Sequence, residues 1–432
     1  MSTETIQINN QSQILNPETI LETSNWKTRF FSIWLGQAAS LIGSSLTQFV
    51  LVWWITQTTG SASALATASI MAMLPQALFG PLGGILADRY SRRLIMIVSD
   101  LITALCMVVL IVLFTLEIVQ LWHIFALMFI RSTMQAFQSP ASAASTSMLV
   151  PNSWLTRVAG MNQTINGLMI VAAAPLGALA MGFLPLQGAL MIDVVTAIIG
   201  ILPLLFYRIP QHKRHDTAQV GMWKDFRAGL KIVLSSRGLI WLYALTIVMV
   251  MVLMPAFSLM PLFVKDEFGG GFNEVALIEG LGGLGMLLGG VLISVFTLPW
   301  RRITIVLLGF GSSCAFIALT GVAPGSMFWL AVVFWFLSGI PYTMGNGPIM
   351  AILQTIVPNQ LQGRALALFS TCMGIAGPLG LVFAAPLAEL IGVRGLLIGG
   401  GGLATLLCLI GFFVPSLMKI EEQGLIQEPN QS

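Results

Sequence analysis

Gly83-Gly84-Ile85-Leu86-Ala87-Asp88-Arg89-Tyr90-Ser91-Arg92-Arg93 decides how the rest of this chain is read. Two adjacent glycines, one acid and three arginines fall within eleven residues. An apolar segment runs in from Ser61 and another leaves at Leu94. Only 9% of all residues are charged, so this density of charge marks a junction exposed to water.

Working outward, the 432 residues are 56% hydrophobic, include 43 glycines and have a mean hydropathy of +0.89. A soluble chain of this length carries about 25% charged residues, so this surface must face lipid. The four cysteines, Cys106, Cys314, Cys372 and Cys408, stand singly inside apolar runs without metal-ligand spacing and read as small core residues. Residues 1–25 are polar, contain Glu4, Glu18 and Glu22 and have no Lys or Arg. A signal peptide needs a basic start and an apolar core, so a cytoplasmic tail is expected.

A membrane-crossing helix needs roughly 20 apolar residues. Twelve such spans are expected, at about 30–55, 62–86, 93–115, 121–149, 155–183, 188–207, 238–264, 275–298, 302–322, 327–355, 361–389 and 394–417. Backbone in lipid must satisfy its own hydrogen bonds, which makes these helices; the alternation of a membrane barrel is absent. Basic residues set the orientation. With both termini in the cytoplasm, Lys27, Arg29, Arg89, Arg92, Arg93, Arg157, Arg301, Arg302, Arg364 and Lys419 lie inside. So do Arg208, Lys213, Arg214, Lys224, Arg227, Lys231 and Arg237 of the longest loop, giving 17 of the 20 basic residues. Lys265 and Arg394 fall outside, and Arg131 lies within span 4.

The longest loop, residues 208–237, comes midway. Trp223, Phe226, Leu230 and Leu234 recur there at helical spacing among Lys224, Arg227 and Lys231, which predicts a short helix on the cytoplasmic face. His212 and His215 sit three apart, with no third metal ligand nearby, and read as part of a solvated basic loop. An internal repeat at an offset of about 206 supports two halves. Ile33-Trp34-Leu35 matches Ile240-Trp241-Leu242, and Gly83-Gly84-Ile85-Leu86 matches Gly289-Gly290-Val291-Leu292. Val150-Pro151-Asn152 matches Val357-Pro358-Asn359, and Pro175-Leu176-Gly177 matches Pro378-Leu379-Gly380. The expected layout is a tail (1–28), a six-helix bundle (29–207), a linker (208–237), a second six-helix bundle (238–418) and a tail (419–432).

Gly84-x-x-x-Asp88-Arg89-x-Ser91-Arg92-Arg93 resembles the loop between spans 2 and 3 of the major facilitator superfamily, with Ser91 where the family carries glycine. The twelve spans, central loop and repeat agree over about residues 26–418. Trp26-Lys27-x-x-Phe30, Trp34-x-Gly36-Gln37 and Phe129-Ile130-Arg131-Ser132 are similar to its macrolide-efflux branch, close to enterobactin-exporter-like proteins. The resemblance implies an all-α membrane fold of two pseudo-symmetric six-helix bundles, with a central cavity lined by spans 1, 4, 7 and 10. It also implies a conformational gate at Gly84, Asp88, Arg89, Arg92 and Arg93, in which Asp88 latches the halves against span 11. The family's exporter signature G-x-x-x-G-P-x-x-G-G is met in part on span 5, where Ala174 precedes Pro175.

No nucleotide-binding loop G-x-x-x-x-G-K-[ST] occurs, so ATP does not drive the chain directly. Neither H-E-x-x-H nor a Ser-His-Asp set points to an enzyme, and the three histidines are His123, His212 and His215. Coupling then falls to ionisable groups inside spans, where charge is unfavourable and usually functional. Arg131 is permanently charged and shares a helix face with Gln135, Gln138 and Ser142. It is read as a coupling residue or as one half of a structural ion pair. The possible acids are Asp100, Asp193 and Glu279. Desolvation favours the neutral form of a carboxyl group and an adjacent guanidinium favours the charged form, so an acid that exchanges those settings can carry a proton. For Asp100 the alternative is a salt bridge to the loop arginines; for Asp193 and Glu279 it is a structural partner.

Gln37, Ser44 and Gln48 share one face of span 1, with Ser40 and Thr47 beside it. Trp335, Ser338, Tyr342 and Asn346 lie close to one face of span 10. Span 7 carries Met249, Met251, Met254, Phe257 and Met260, pliable groups suited to an irregular ligand or to packing against lipid. The expected substrate cavity is therefore Gln37, Ser44, Gln48, Gln135, Gln138, Met254, Phe257, Trp335, Tyr342 and Asn346. The expected function is a proton-coupled antiporter of the bacterial inner membrane that exports amphipathic, macrolide-like molecules by alternating access. An exporter of an endogenous siderophore or metabolite is the alternative, with a non-transporting receptor or assembly factor more distant. Partners are a small-molecule substrate, protons and the lipid bilayer, without nucleic acid, metal or cofactor, and a monomer is expected.

Overall fold

A computed structural model describes residues 25–207, 209, 222–296 and 298–422, and among them there is no strand. The N-terminal half contributes span 1 (Trp26–Thr59), span 2 (Ala62–Arg89), span 3 (Arg92–Thr115), span 4 (Leu121–Leu149), span 5 (Leu155–Phe183) and span 6 (Leu186–Phe206). Span 7 is broken into Arg237–Ser258 and Met260–Phe268, just past Pro255, whose ring removes a backbone hydrogen bond. Span 8 (Phe272–Val295), span 9 (Arg302–Val322) and span 10 (Phe328–Ile356) follow. One helical segment, Asn359–Gly411, then supplies spans 11 and 12. It breaks only at Gly392, which has φ 74° and ψ 161°, a conformation essentially confined to glycine.

Among the described residues, ten helices are long and apolar enough to cross a membrane. Leu121–Leu149 is missing from that set because Arg131, Gln135, Gln138 and its serines dilute its apolarity, and Asn359–Gly411 counts once although its kink makes it two. The described residues therefore hold the twelve expected spans. Five connections between spans among the described residues have two residues or fewer. Gly392 alone separates spans 11 and 12, and two residues separate spans 1 and 2, spans 5 and 6, spans 10 and 11 and, as Tyr90 and Ser91, spans 2 and 3. Between spans 2 and 3, Ser91 accepts a hydrogen bond from the Leu94 amide at 3.4 Å, capping span 3. The serine that departs from the family pattern thus takes up a helix-end donor that glycine would leave bare.

The ends of the helices carrying the arginine pairs define a basic face. Each half uses its pair to hold other helix ends there. Arg92 donates to the Ala144 carbonyl of span 4 at 2.7 Å, while Arg93 donates to the Leu204 and Leu205 carbonyls that end span 6. In the second half Arg302 donates to Thr355 of span 10 at 2.7 Å, and Arg301 pairs with Glu422 at 2.8 Å beyond span 12. Cations at helix C-termini complement the exposed carbonyls and the dipole. The paired glycines repeat the same logic. Gly83 lies tightly against Ala136 of span 4, and Gly289 against Ile340 of span 10, where small residues allow backbones to approach.

The expected linker helix is Met222–Ser235, and Leu230 and Leu234 are exposed on it. Ile232 and Val233 are buried instead, and Gly229 sits against span 11, where an added Cβ would lie 2.9 Å from the Arg364 carbonyl. Packing on span 11 has claimed one strip of the helix and left the leucines exposed. Residues Arg208, His212, Lys213, Arg214 and His215, and the side chains of Trp223, Lys224 and Phe226, lie outside the described residues.

Candidate functional site

Small residues bring the polar groups of the N-terminal half together. Gly36 and Gly43, seven apart on span 1, admit span 6: a Cβ on Gly36 would lie 3.3 Å from the Gly200 Cα, and one on Gly43 would lie 3.2 Å from the Asp193 Cα. This approach lets Ser44 donate to Asp193 Oδ1 at 2.8 Å. The other carboxylate oxygen, Oδ2, lies 3.0 Å from Nη2 of Arg131. Asp193 is 1% exposed and the Arg131 side chain 10%, so spans 1, 4 and 6 are joined by a desolvated, charge-balanced pair.

Asp100 is built differently. It is buried, its Oδ2 accepts from Gln37 Nε2 at 2.9 Å, and its Oδ1 accepts from Gln138. Gln138 also donates to Gln37 Oε1 at 3.0 Å, and Gln37 reaches the Gly200 carbonyl at 3.3 Å. Among the described residues no cation joins this cluster: of the loop arginines expected as partners, Arg92 and Arg93 are occupied by the helix-end carbonyls of spans 4 and 6, and Arg89 is exposed. Asp100 therefore meets two neutral amides from spans 1 and 4.

This cluster lines a cavity of about 300 Å³ walled by spans 1, 3, 4 and 5. It runs from Phe30, Leu149 and Asn162 toward the basic face to Ser44 and Gln135 at mid-span. Gln37, Ser44, Gln135 and Gln138 all line it. Trp34, at its mouth, donates its indole N–H to Asn162 Oδ1 at 2.8 Å, an inter-helix tie between spans 1 and 5. Around the mouth, Lys27 lies over both Trp26 and Trp154, and Arg157 over Trp154.

A second cavity of about 210 Å³ lies between the halves, lined by Gln48, Phe49, Ala174, Phe257 and Glu279 among others. Glu279 makes no hydrogen bond or ion pair among the described residues. Beside it, Gly280 receives Pro175 of span 5, the Cγ of which would be 2.9 Å from an added Cβ, so the proline of the partial exporter signature sits at a contact between the halves. The remaining expected cavity residues line neither space. Trp335 is buried in an aromatic group with Phe257 (ring centroids 5.1 Å apart), and Tyr342 stands 6.0 Å from both Phe257 and Phe310. Met254 packs against span 11 near Gly377, and Asn346 is exposed.

The halves meet along the portion away from the basic face. Lys265 of span 7 donates to the Thr56 carbonyl at 2.8 Å and the Gln57 carbonyl at 3.3 Å, at the end of span 1. Trp53 stacks edge-on against Phe272, and Ser61 reaches Glu389 at 3.4 Å. Spans 2 and 11 touch from Ala66 and Leu381 as far as Ala77 and Gly374. Nearer the basic face, nothing lies within 4 Å of where a Cβ would stand on Gly84, Gly160, Gly290 or Gly363. Asp88, 58% exposed, pairs with Arg92 one turn on at 3.5 Å, and Arg89 is exposed. Two features in this region escape the sequence reading. Lys265 looks like a stray charge at a loop, and the Gly36/Gly43 pair was readable only as a seven-residue glycine spacing on span 1.

The sequence pattern of the family described as Major Facilitator Superfamily matches residues 33–381. Macrolide efflux protein A of Streptococcus pyogenes is 32% identical over 404 residues, covering 93% of this chain and 99% of that protein. The multidrug efflux pump Tap of Mycolicibacterium fortuitum is 23% identical over 401 residues, covering 88% and 94%. Among solved structures, a bacterial homolog of the human lysosomal transporter Spinster, inward-facing and unoccupied, aligns with a TM-score of 0.69 at 14% identity over 93% of this chain and 99% of that one. An inward-facing bacterial homologue of the iron transporter ferroportin aligns with a TM-score of 0.68 at 15% identity, over 89% and 98%.

Proposed function

Because this chain belongs to the Major Facilitator Superfamily, a family of multi-pass membrane transporters, we propose that it is a proton-coupled antiporter exporting amphipathic small molecules by alternating access. The observation that carries this reading is a polar cavity reaching one face of a molecule whose halves are fastened together toward the other face. With the basic face read as cytoplasmic, the bias of Lys and Arg supports an inward-open arrangement, ready to load from the cell. The 32% identity to macrolide efflux protein A supports efflux of bulky organic substrates.

Proton coupling requires an acid that alternates between settings favouring its charged and its neutral form. Asp193 occupies the first setting, on Arg131. Glu279 occupies the second, with neither cation nor hydrogen bond, and Asp100 lies between the two, without a cation but accepting from Gln37 and Gln138. Movement of span 1 or span 6 that parts Asp193 from Arg131 would exchange the settings. The arrangement of the loop residues supports a gate in two parts. Arg92 and Arg93 staple spans 4 and 6 within one half, leaving Gly84, Asp88 and Arg89 uncovered and free to meet span 11 once the basic-face ends close.

Purified protein in liposomes tests the proposal. Flux of a lipophilic drug driven by an imposed pH gradient is expected, and no flux under any gradient would overturn it. Uphill export that survives joint neutral replacement of Asp100, Asp193 and Glu279 would overturn the coupling assignment while leaving transport standing.

A further inference from the structure

The cavity between the halves gathers polar groups that the fold leaves without partners. Gln48 of span 1, Ser69 of span 2, Ser258 of span 7 and Glu279 of span 8 all line it. None of these side chains makes a hydrogen bond among the described residues, and none of the four residues is exposed. Ser45, also in the wall, donates to the Leu41 carbonyl at 2.8 Å and keeps its lone pairs free. Polar groups inside a protein are nearly always paired, so unpaired groups from four helices around one space call for an occupant. Span 7 adds a backbone oxygen. It breaks between Ser258 and Met260, and Pro261 has no amide hydrogen, so the Phe257 carbonyl lacks its helical donor. Phe257 and Pro261 both line the cavity, while the Phe257 ring packs on Trp335 and Tyr342.

Charge and size decide what fits. Glu279 is the one ionisable side chain lining this cavity. The cations nearest along the spans are spent elsewhere, Arg131 on Asp193 and Lys265 on the carbonyls that end span 1. We propose that this cavity binds a hard monovalent cation of the Na⁺ type, held by the Glu279 carboxylate, the Gln48 amide oxygen, the three serine hydroxyls and the Phe257 carbonyl. Carbonyls freed at a helix break can replace the water shell of such an ion. One positive charge balances one carboxylate. A divalent ion would leave net charge inside the spans, where it is unfavourable, and would call for more carboxylates. At about 210 Å³ the space falls below the roughly 300–1,000 Å³ of organic-ligand pockets, yet it admits an ion with a few waters. Farther out on the same helices, Trp53 against Phe272 and Lys265 on Thr56 close the halves, so exchange with that side needs those contacts to part. Na⁺ and a proton exclude each other on one carboxylate, which gives coupling a second ion. That use rests on the exporter reading; occupancy of the site does not.

The test is retention of radiolabelled Na⁺ by the full-length protein in nanodiscs at alkaline pH, where protons compete least for a carboxylate. Saturable retention is expected, displaced by unlabelled Na⁺ and not by choline; whether K⁺ also displaces it says which alkali ion the site takes. Glu279→Gln should abolish retention. Ser258→Ala should weaken it about tenfold, the factor for one interaction with a charged group. No saturable retention by the wild type, retention that survives Glu279→Gln, or displacement by choline overturns the proposal. Should Glu279→Gln fail to fold, Ser69→Ala combined with Ser258→Ala decides, and unchanged Na⁺ affinity there overturns it equally. Drug flux in liposomes separates this idea from the one beneath it. Flux without Na⁺ retention leaves the exporter reading standing and removes the site; Glu279-dependent retention without flux under any gradient does the reverse.

Discussion

Replacing Asp193 with Asn is expected to destabilise this protein more than replacing Arg131 with Met, although each removes one half of the same ion pair. At 3.0 Å and an effective dielectric of about 20, the attraction is about 5 kcal/mol. Removing one partner of a buried pair destabilises by about 3–5 kcal/mol, because the other is left uncompensated. A lone carboxyl group can escape by taking a proton, whereas a lone guanidinium stays charged. Arg131→Met therefore belongs at the lower end of that range and Asp193→Asn at the upper. Arg131→Met combined with Asp193→Leu removes both charges and should recover most of the loss. Cys106, Cys314 and Cys408 are buried free thiols, so a thiol-reactive fluorophore reports unfolding as temperature rises. From highest melting temperature to lowest, the expected order is wild type, double variant, Arg131→Met, then Asp193→Asn. Single variants that melt with the wild type would refute the reasoning. A stable double variant that still exports against a gradient would reduce the pair to a structural tie.

Asp88→Asn should leave thermal stability within about 0.5 kcal/mol, since an exposed one-turn pair contributes little. It should instead change how often cysteines placed in the cavity are labelled from each side; unchanged labelling would remove Asp88 from the gate. Lys265→Met deletes two charge-assisted hydrogen bonds across the halves, worth about 1.5–3 kcal/mol each when intact. Labelling of a cysteine at Gln57 from the face opposite the arginines should rise at least several-fold. Gly83→Leu should abolish folding because its side chain would run into the backbone of Ala136. Gly84→Leu meets open space in this conformation, so it should fold, bind drug and lose turnover, which a combined stability and flux measurement would show.

The fold was legible because lipid imposes one rule on every span. Apolar length, the bias of Lys and Arg and the glycine-arginine loop each gave the same answer. Inside the N-terminal half, the one-face spacing of Arg131, Gln135 and Gln138 and the polar stripe from Gln37 to Ser44 were readable for the same reason. The partners were not. Whether Asp100 meets an arginine or an amide depends on helix rotations, and these are set by backbone approach at Gly36, Gly43 and Gly200, where periodicity says nothing. Lys265 was opaque because its acceptors are backbone carbonyls of Thr56 and Gln57, which no side-chain pattern reveals. Which strip of the linker helix meets the protein was not legible either. Several apolar strips compete on Met222–Ser235, and only the location of span 11 chooses among them.

Gly392 has a mechanical consequence. It is the whole connection between spans 11 and 12, and a single residue extends by about 3.6 Å at most. The joint has no slack to permit separation, so a tilt of either helix would be shared by the other about a fulcrum on the face away from the arginines. A small angular change there would become a large sweep at the far end, where Gly363 and Arg364 of span 11 lie beside the linker helix resting on it.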